Sequence, residues 1–180
     1  MDKVKIVDRF INLEEYEICT QKIKMLKWIE QRSDHSLNLK DNLSIPFWVS
    51  YISDDTFFSE HLLKKIEKHF NKKFKINRLY VNCQSFGQDG YYHLDERMEN
   101  NYTFCLYVHD NDDDICQHIG GHLNIKIPNE KFVYSIEPFV GRGVLFPANY
   151  FHKGCAFNNN IYGMRYCIAW KLVEESTDSS

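Results

Sequence analysis

The chain has 180 residues, 43% of them hydrophobic and 15% aromatic, which excludes a disordered, tail-dominated protein and suits one domain with a proper core. A net charge of -3 and a pI near 6.2 exert no global pull toward nucleic acid or an anionic membrane. Along the chain, residues 3–7 alternate as a short strand does. Asn12 with Glu15 three positions on forms a capping-box pattern and predicts a helix running to about Gln31. Tyr16, Ile23, Leu26 and Ile29 share one side of that helix, and Lys22, Lys24 and Lys27 face solvent.

The polar stretch 33–44 reads as a loop, and residues 45–49 as an edge strand, because Pro46 has no N–H to give a ladder. A second helix begins near residues 54–56 and carries Phe58, Leu62, Ile66 and Phe70 on one stripe. The lysines around it, from Lys64 to Lys75, read as a solvated face balanced by Glu60 and Glu67 in preference to a nucleic-acid strip. From Lys75 the pattern changes to short strands separated by turn residues: 76–83, 91–95, 102–109, 122–127, 132–136, 143–146, 148–152 and 164–172. Helices followed by strands predict an α+β fold, and these strands are enough for a jelly roll.

The six cysteines show no C-x-x-C spacing, and four lie in apolar or strand-like runs, so they read as reduced, structural thiols of a reducing cytosol. No leader-like apolar segment appears, and no apolar run approaches the roughly 18 residues of a membrane span. The expected address is therefore cytoplasmic, with no membrane partner.

The chemistry concentrates at His93 and Asp95. On an extended chain their spacing sends both side chains to one face, and imidazole with carboxylate suits Fe(II), Mn(II) or Zn(II). Such a pair is also common among ordinary surface residues; His152 is the candidate that would complete a two-His, one-carboxylate triad. In the strand 102–109, Thr103, Cys105 and Tyr107 oppose Phe104, Leu106 and Val108, and in the last strand Arg165, Cys167 and Ala169 oppose Tyr166, Ile168 and Trp170. An Arg on a small-residue face, if buried, needs an anionic or hydrogen-bonding partner: a protein carboxylate is the usual one and a ligand carboxylate the alternative. The acidic stretch 110–114 reads as a solvated loop in preference to a calcium site. His109, His118 and His122 read as scattered surface residues in preference to a second metal centre. Gly87 and Gly90 allow a tight turn, or a close backbone approach, before the His-x-Asp segment.

An ordered set of segments carries a family resemblance: Tyr91-Tyr92-His93-Leu94-Asp95, Tyr102-Thr103 to Tyr107, Gly120-Gly121-His122-Leu123, Glu137-Pro138 through Gly141-Arg142 to Phe146, His152-Lys153-Gly154, and Met164-Arg165 to Lys171. Over residues 76–172 this set resembles the iron(II)- and 2-oxoglutarate-dependent dioxygenases, in particular their prolyl 4-hydroxylase-like branch. The opening segment from Val7 to Glu15 is similar to the strand and helix that precede the core in that branch. The resemblance implies a double-stranded β-helix (jelly-roll) core with N-terminal helices packed on one sheet. It implies a single domain over 1–180, with 1–75 as helical support, 76–172 as core and 173–180 as a flexible tail.

The resemblance further implies that His93, Asp95 and His152 hold Fe(II), that Arg165 pairs with the distal carboxylate of 2-oxoglutarate, that the Tyr107 phenol reaches that carboxylate, and that Thr103 lines the same pocket. O2 would be consumed with decarboxylation of 2-oxoglutarate to succinate, ascorbate serving as reductant, and the leading substrate is a prolyl residue in a peptide or protein. The alternatives are an oxygenase acting on a non-prolyl substrate, or a jelly-roll metal-binding or regulatory module without turnover. The chain departs from the family pattern in three places. His122 follows Gly120-Gly121 where an acidic residue or Thr is usual, and Arg165 follows His152 by thirteen positions, with 158–160 as the insertion. The cosubstrate tyrosine of many relatives falls near Cys83 or Gln84, and Lys153 and Lys171 are alternative cations for the cosubstrate.

Overall fold

The capping box at Asn12 forms as its residues dictate: the Asn12 side chain accepts from the Glu15 N–H at 2.8 Å, and the Glu15 carboxylate accepts from the Asn12 N–H at 2.9 Å. The computed structural model describes residues 3–32, 45–109, 119–159 and 163–175. Helix α1 spans Leu13–Lys24 and stops well short of residue 31, because Ile29–Arg32 is strand β2, paired with β3 (Pro46–Tyr51). Tertiary pairing overrides local helix propensity there, and the Trp28 ring settles against Tyr166 at 5.9 Å. β3 is not the sheet edge, since β2 covers it; Pro46 is tolerated as the first residue of its strand. The expected loop 33–44, the acidic stretch 110–114 and His118 lie outside the described residues.

The second helix starts with a π-wound turn, Phe57–Leu62, and continues as α2, Leu63–Phe70, closed by Asn71 in the left-handed conformation. Phe58, Leu62 and Ile66 are fully buried as the stripe predicts, while Phe70 is half-buried. The lysine-rich side is ion-paired: Lys65 bonds Glu15, Lys72 bonds Glu174, and Lys73 lies 3.1 Å from Glu67.

The remaining strands are β1 (Lys5–Val7), β4 (Phe74–Gln84), β5 (Asn101–Tyr107), β6 (Leu123–Lys126), β7 (Tyr134–Ile136), β8 (Gly143–Pro147), β9 (Phe151–Gly154) and β10 (Arg165–Glu174). They form a seven-stranded sheet in the order β1-β8-β5-β10-β4-β3-β2 and a three-stranded sheet in the order β7-β6-β9, antiparallel throughout. After β5 the chain passes to the small sheet for β6 and β7, returns for β8, crosses again for β9 and returns for β10, which is the winding of a jelly roll.

Segment 91–95 is not a full strand. It runs beside β9 through Gly90 N–H to Gly154 C=O (2.8 Å), a reciprocal His93–His152 pair (3.0 Å each) and Asp95 N–H to Ala148 C=O (3.0 Å). The register drifts between these bonds, so a regular ladder cannot form. The expected strand 148–152 begins only at Phe151, because Pro147 to Tyr150 makes a turn closed by a 3.1 Å bond.

Alternation then sorts the side chains. Phe104, Leu106, Ile168, Trp170 and Leu172 face the helices, where they meet the α1 and α2 stripes, and Trp170 donates to the Phe58 carbonyl at 3.1 Å. Cys105, Tyr107 and Cys167 face the space between the sheets, with Leu123, Ile125 and Val144. Among the described residues, no helix is long and apolar enough to cross a membrane.

Glu15 ties α1 to α2. Burial would raise its pKa, but hydrogen bonds from Lys65, the Asn12 N–H and His61 outweigh burial and hold it below the usual value. A depressed carboxyl pKa stabilises the fold above the unfolded value of 4.5, and that stabilisation is lost as pH falls through the folded value. Glu15→Gln is therefore expected to destabilise the protein most above about pH 5 and progressively less below it. Urea denaturation of both proteins from roughly pH 3.5 to 7 checks this.

Candidate metal centre

The pairing of segment 90–95 with β9 decides the site, because it lays His93 and Asp95 beside His152. One ligand atom from each of the three lies within 4.8 Å of the others, the single such group among the described residues. His152 Nε2 stands 3.2 Å from Asp95 Oδ2, and His93 Nε2 3.5 Å from Asp95 Oδ1. Each imidazole turns its Nδ1 to a backbone carbonyl, His93 to Tyr91 at 2.8 Å and His152 to Tyr150 at 2.9 Å. A carbonyl only accepts, so each Nδ1 carries a proton and, in the neutral ring, each Nε2 presents a bare lone pair. Burial lowers the His152 pKa further than the neighbouring Asp95 raises it, which keeps that ring neutral near pH 7, and Phe146 packs edge-on against it at 4.8 Å. Two imidazole lone pairs and a carboxylate converging at this distance call for a cation between them.

Asp95 is almost fully buried, its side chain 4% exposed. Burial alone would raise its pKa; Lys171, then His152 and His93, reverse this and hold the carboxyl well below the usual range. Lys171, itself buried, donates to Asp95 Oδ2, and so does the Thr103 hydroxyl, which leaves Oδ1 without a protein donor.

The cavity beside this cluster runs along β10 to Arg165. Arg165, Cys167, Ala169 and Lys171 project into it from β10, and Gln84, Asn82 and Tyr80 from β4, where the register sets Gln84 opposite Arg165 and Asn82 opposite Cys167. Arg165 is 2% exposed, yet no carboxylate among the described residues pairs with it. Its Nε donates to the Gly121 carbonyl at 2.7 Å and its Nη1 to Gln84 Oε1 at 2.8 Å. Gln84 is held in that orientation by its own donation to the Gln88 and Gly154 carbonyls, at 2.7 and 3.3 Å. The Arg165 guanidinium carbon lies 5.1 Å from the centre of the Tyr107 ring, and the buried Tyr107 hydroxyl has no hydrogen-bond partner among the described residues.

Two glycines let these walls close. A Cβ at Gly90 would stand 2.9 Å from the Gly154 carbonyl oxygen, and a Cβ at Gly154 3.3 Å from Gln84 Oε1 and 3.4 Å from Arg165 Nη1. Gly90 thus permits a close approach to backbone, while Gly87, at φ +80° in open space, makes the turn.

No protein-family model and no curated protein matches the sequence. Solved structures do match in three dimensions. A 2OG-Fe(II) oxygenase family oxidoreductase from Burkholderia pseudomallei superposes with a TM-score of 0.73 at 10% identity, over 96% of this chain and 85% of that one. A prolyl hydroxylase from Trichoplax adhaerens, in complex with a hypoxia inducible factor oxygen degradation domain peptide fragment, gives 0.69 at 18% identity, over 97% and 84%. HygX from Streptomyces hygroscopicus, with nickel, 2-oxoglutarate and hygromycin B bound, gives 0.66 at 9% identity, over 95% and 82%. The fold is that of the 2OG-Fe(II) oxygenases.

Within this oxygenase fold His93, Asp95 and His152 come together, and Arg165 lines the other end of the cavity with its guanidinium over the Tyr107 ring, which is itself outside the cavity lining. Thr103 is not among the residues lining the Arg165 cavity: it shares a β5–β10 register position with Lys171, six residues along β10 from Arg165, and binds Asp95. Lys171 is likewise committed to Asp95, and Lys153 lies over the Tyr92 ring at 5.6 Å, outside the cavity lining. His109 is not a surface residue; it is 1% exposed and hydrogen-bonded to the Pro138 carbonyl. The cysteines at 19, 83, 105, 155 and 167 are free thiols, and Cys116 lies outside the described residues. Gln84 was legible only as the place of a missing tyrosine, and its bond to Arg165 supplies the positioning. The role of Lys171 follows from the same two-residue alternation that places Arg165, extended by three steps.

Lys171→Met leaves the Asp95 carboxylate buried without its cation and is expected to cost the metal-free protein about 3–5 kcal/mol. Adding Asp95→Asn should return part of that loss, and a double-mutant cycle by urea denaturation measures the coupling.

Proposed function

We propose that the protein is an Fe(II)- and 2-oxoglutarate-dependent dioxygenase of the prolyl 4-hydroxylase-like branch, hydroxylating a prolyl residue in a peptide or protein. One observation carries the reading: a buried guanidinium with no carboxylate partner among the described residues faces the same cavity as a two-His, one-carboxylate cluster. A buried Arg without an anion is costly, and a dicarboxylic acid spanning the cavity offsets that cost at one end while chelating a metal at the other.

The donor set fits the metal. His93 and His152 would hold Fe(II) through Nε2, their tautomers fixed by the Tyr91 and Tyr150 carbonyls, and Asp95 would hold it through a carboxylate oxygen. Bound there with 2-oxoglutarate and O2, iron supplies the oxidation that converts a substrate C–H to C–OH as 2-oxoglutarate becomes succinate and CO2. The chain's own residues do the rest. Lys171 and Thr103 fix the Asp95 carboxylate, Gln84 and Gly121 aim Arg165 at the distal carboxylate of the cosubstrate, and the Tyr107 hydroxyl offers that carboxylate a donor. Leu123, His152 and Gly154 of the small sheet form the opposite wall of the cavity. Helices α1 and α2 buttress the large sheet, and we assign the protein to the cytoplasm, where its free thiols are stable. The peptide seen with the Trichoplax adhaerens prolyl hydroxylase supports a peptide substrate.

Anaerobic addition of Fe(II) and then 2-oxoglutarate is expected to produce a chelate charge-transfer band, with succinate released on adding O2 and proline-containing peptides. His152→Ala should abolish the band. Arg165→Gln should keep it while raising the 2-oxoglutarate concentration for half-saturation by about 10- to 100-fold, the worth of a charge-assisted pair. An undiminished band in His152→Ala removes that residue from the coordination sphere and overturns the assignment.

A further inference from the structure

The cavity that holds Arg165 is not the whole of the site. A second compartment of about 170 Å³ opens beside the metal cluster, bounded by His93 and Asp95 on one side and by β2 and β4 on the other. Phe47, Tyr80, Asn82 and His93 line both spaces, so the two are contiguous, yet Arg165 does not reach the second. A molecule bound there meets the metal cluster from a direction that leaves the Arg165 end to the cosubstrate.

Two features of its β4 wall specify what it takes. The Asn82 carboxamide oxygen is buried and has no hydrogen-bond partner among the described residues. Leaving such an acceptor dry costs about 1–3 kcal/mol unless a ligand N–H or O–H meets it. Four residues back on the same face of β4 is Arg78, at the outer rim with Arg32. Asp95 is occupied by Lys171 and Thr103, and Glu30 lies 3.4 Å from Arg32. No carboxylate among the described residues pairs with Arg78, which leaves the rim with a positive charge to match. Four strand positions separate the two anchors by about 13 Å, the length of about four residues of extended peptide.

Resting on the oxygenase reading above, we propose that this compartment is the substrate site and that it takes an extended acidic peptide. The target residue lies against His93, a neighbouring backbone N–H donates to the Asn82 carboxamide oxygen, and a Glu or Asp about four residues away meets Arg78.

Fluorescein-labelled proline peptides carrying a single Glu at successive distances on either side of the proline test this by anisotropy, on the protein loaded anaerobically with Fe(II) and 2-oxoglutarate. Affinity is expected to peak with Glu about four places from the proline, to fall about fivefold when that Glu is Lys, and to lose the difference at high salt. Arg78→Glu, an exposed substitution, should invert the Glu-over-Lys preference. Asn82→Leu should weaken every peptide about tenfold whatever its charge. Affinity independent of the position and sign of the charge, or a Glu preference kept by Arg78→Glu, overturns the proposal. The chelate band is read separately: its absence in the unmodified protein overturns the oxygenase reading, whereas its presence with no charge preference overturns only the substrate assignment.

Discussion

A buried carboxylate is tolerable only with a cation in reach, and the fold builds that cation into strand β10. Lys171 and Arg165 sit six residues apart, an even number, so the pleat turns both into the same cavity. Their neighbours are set by the same register. Gln84 faces Arg165 across the β4 ladder, and Thr103 faces Lys171 across the β5 ladder. A slip of one residue in either ladder would exchange the charged row for the Trp170 and Ile168 row that packs on the helices. The helical layer therefore guards the chemistry indirectly, because α1 and α2 with their Phe58, Leu62 and Ile66 contacts make the alternative register unaffordable.

How much of this was legible in the sequence depends on the range of the interaction responsible. The capping box at Asn12, the Phe58–Leu62–Ile66 stripe and the two-faced strands around Cys105 and Cys167 are written in spacings of two to four residues, and all three form. The helix expected to reach residue 31 ends at Lys24 because β3, some twenty residues on, captures Ile29 as its strand partner. The strand expected at 91–95 shrinks to a single bridge because its partner β9 is offset by the turn after Pro147. At the site, His93, Asp95 and His152 were legible from residue chemistry joined to family resemblance. The allegiance of Thr103 to Asp95 was not, since it depends on where a loop-borne carboxylate lands against a distant strand.

Identity of 10% to the Burkholderia pseudomallei oxidoreductase accompanies a TM-score of 0.73, so the backbone path persists where individual side chains do not. Solved neighbours of this fold include both a peptide-bound hydroxylase and a hygromycin B complex, which places the determinants of substrate choice outside the shared framework. In this chain the compartment beside the His93–Asp95–His152 cluster combines the exposed Arg78 with a dry carboxamide.

The seam between Gly90 and Gly154 has an evolutionary consequence. Neither glycine offers a side chain to metal or cosubstrate, yet a methyl group at Gly90 would meet backbone at 2.9 Å and wedge apart the two segments that carry His93 and His152. A methyl group at Gly154 would press on Gln84 and, through it, on Arg165. Shape alone closes off drift at Gly90, where the obstacle is backbone, while at Gly154 the neighbouring side-chain tips must give way by a few tenths of an ångström. If the β4 rim reads the substrate as proposed above, it can change while the seam at Gly90 keeps its shape.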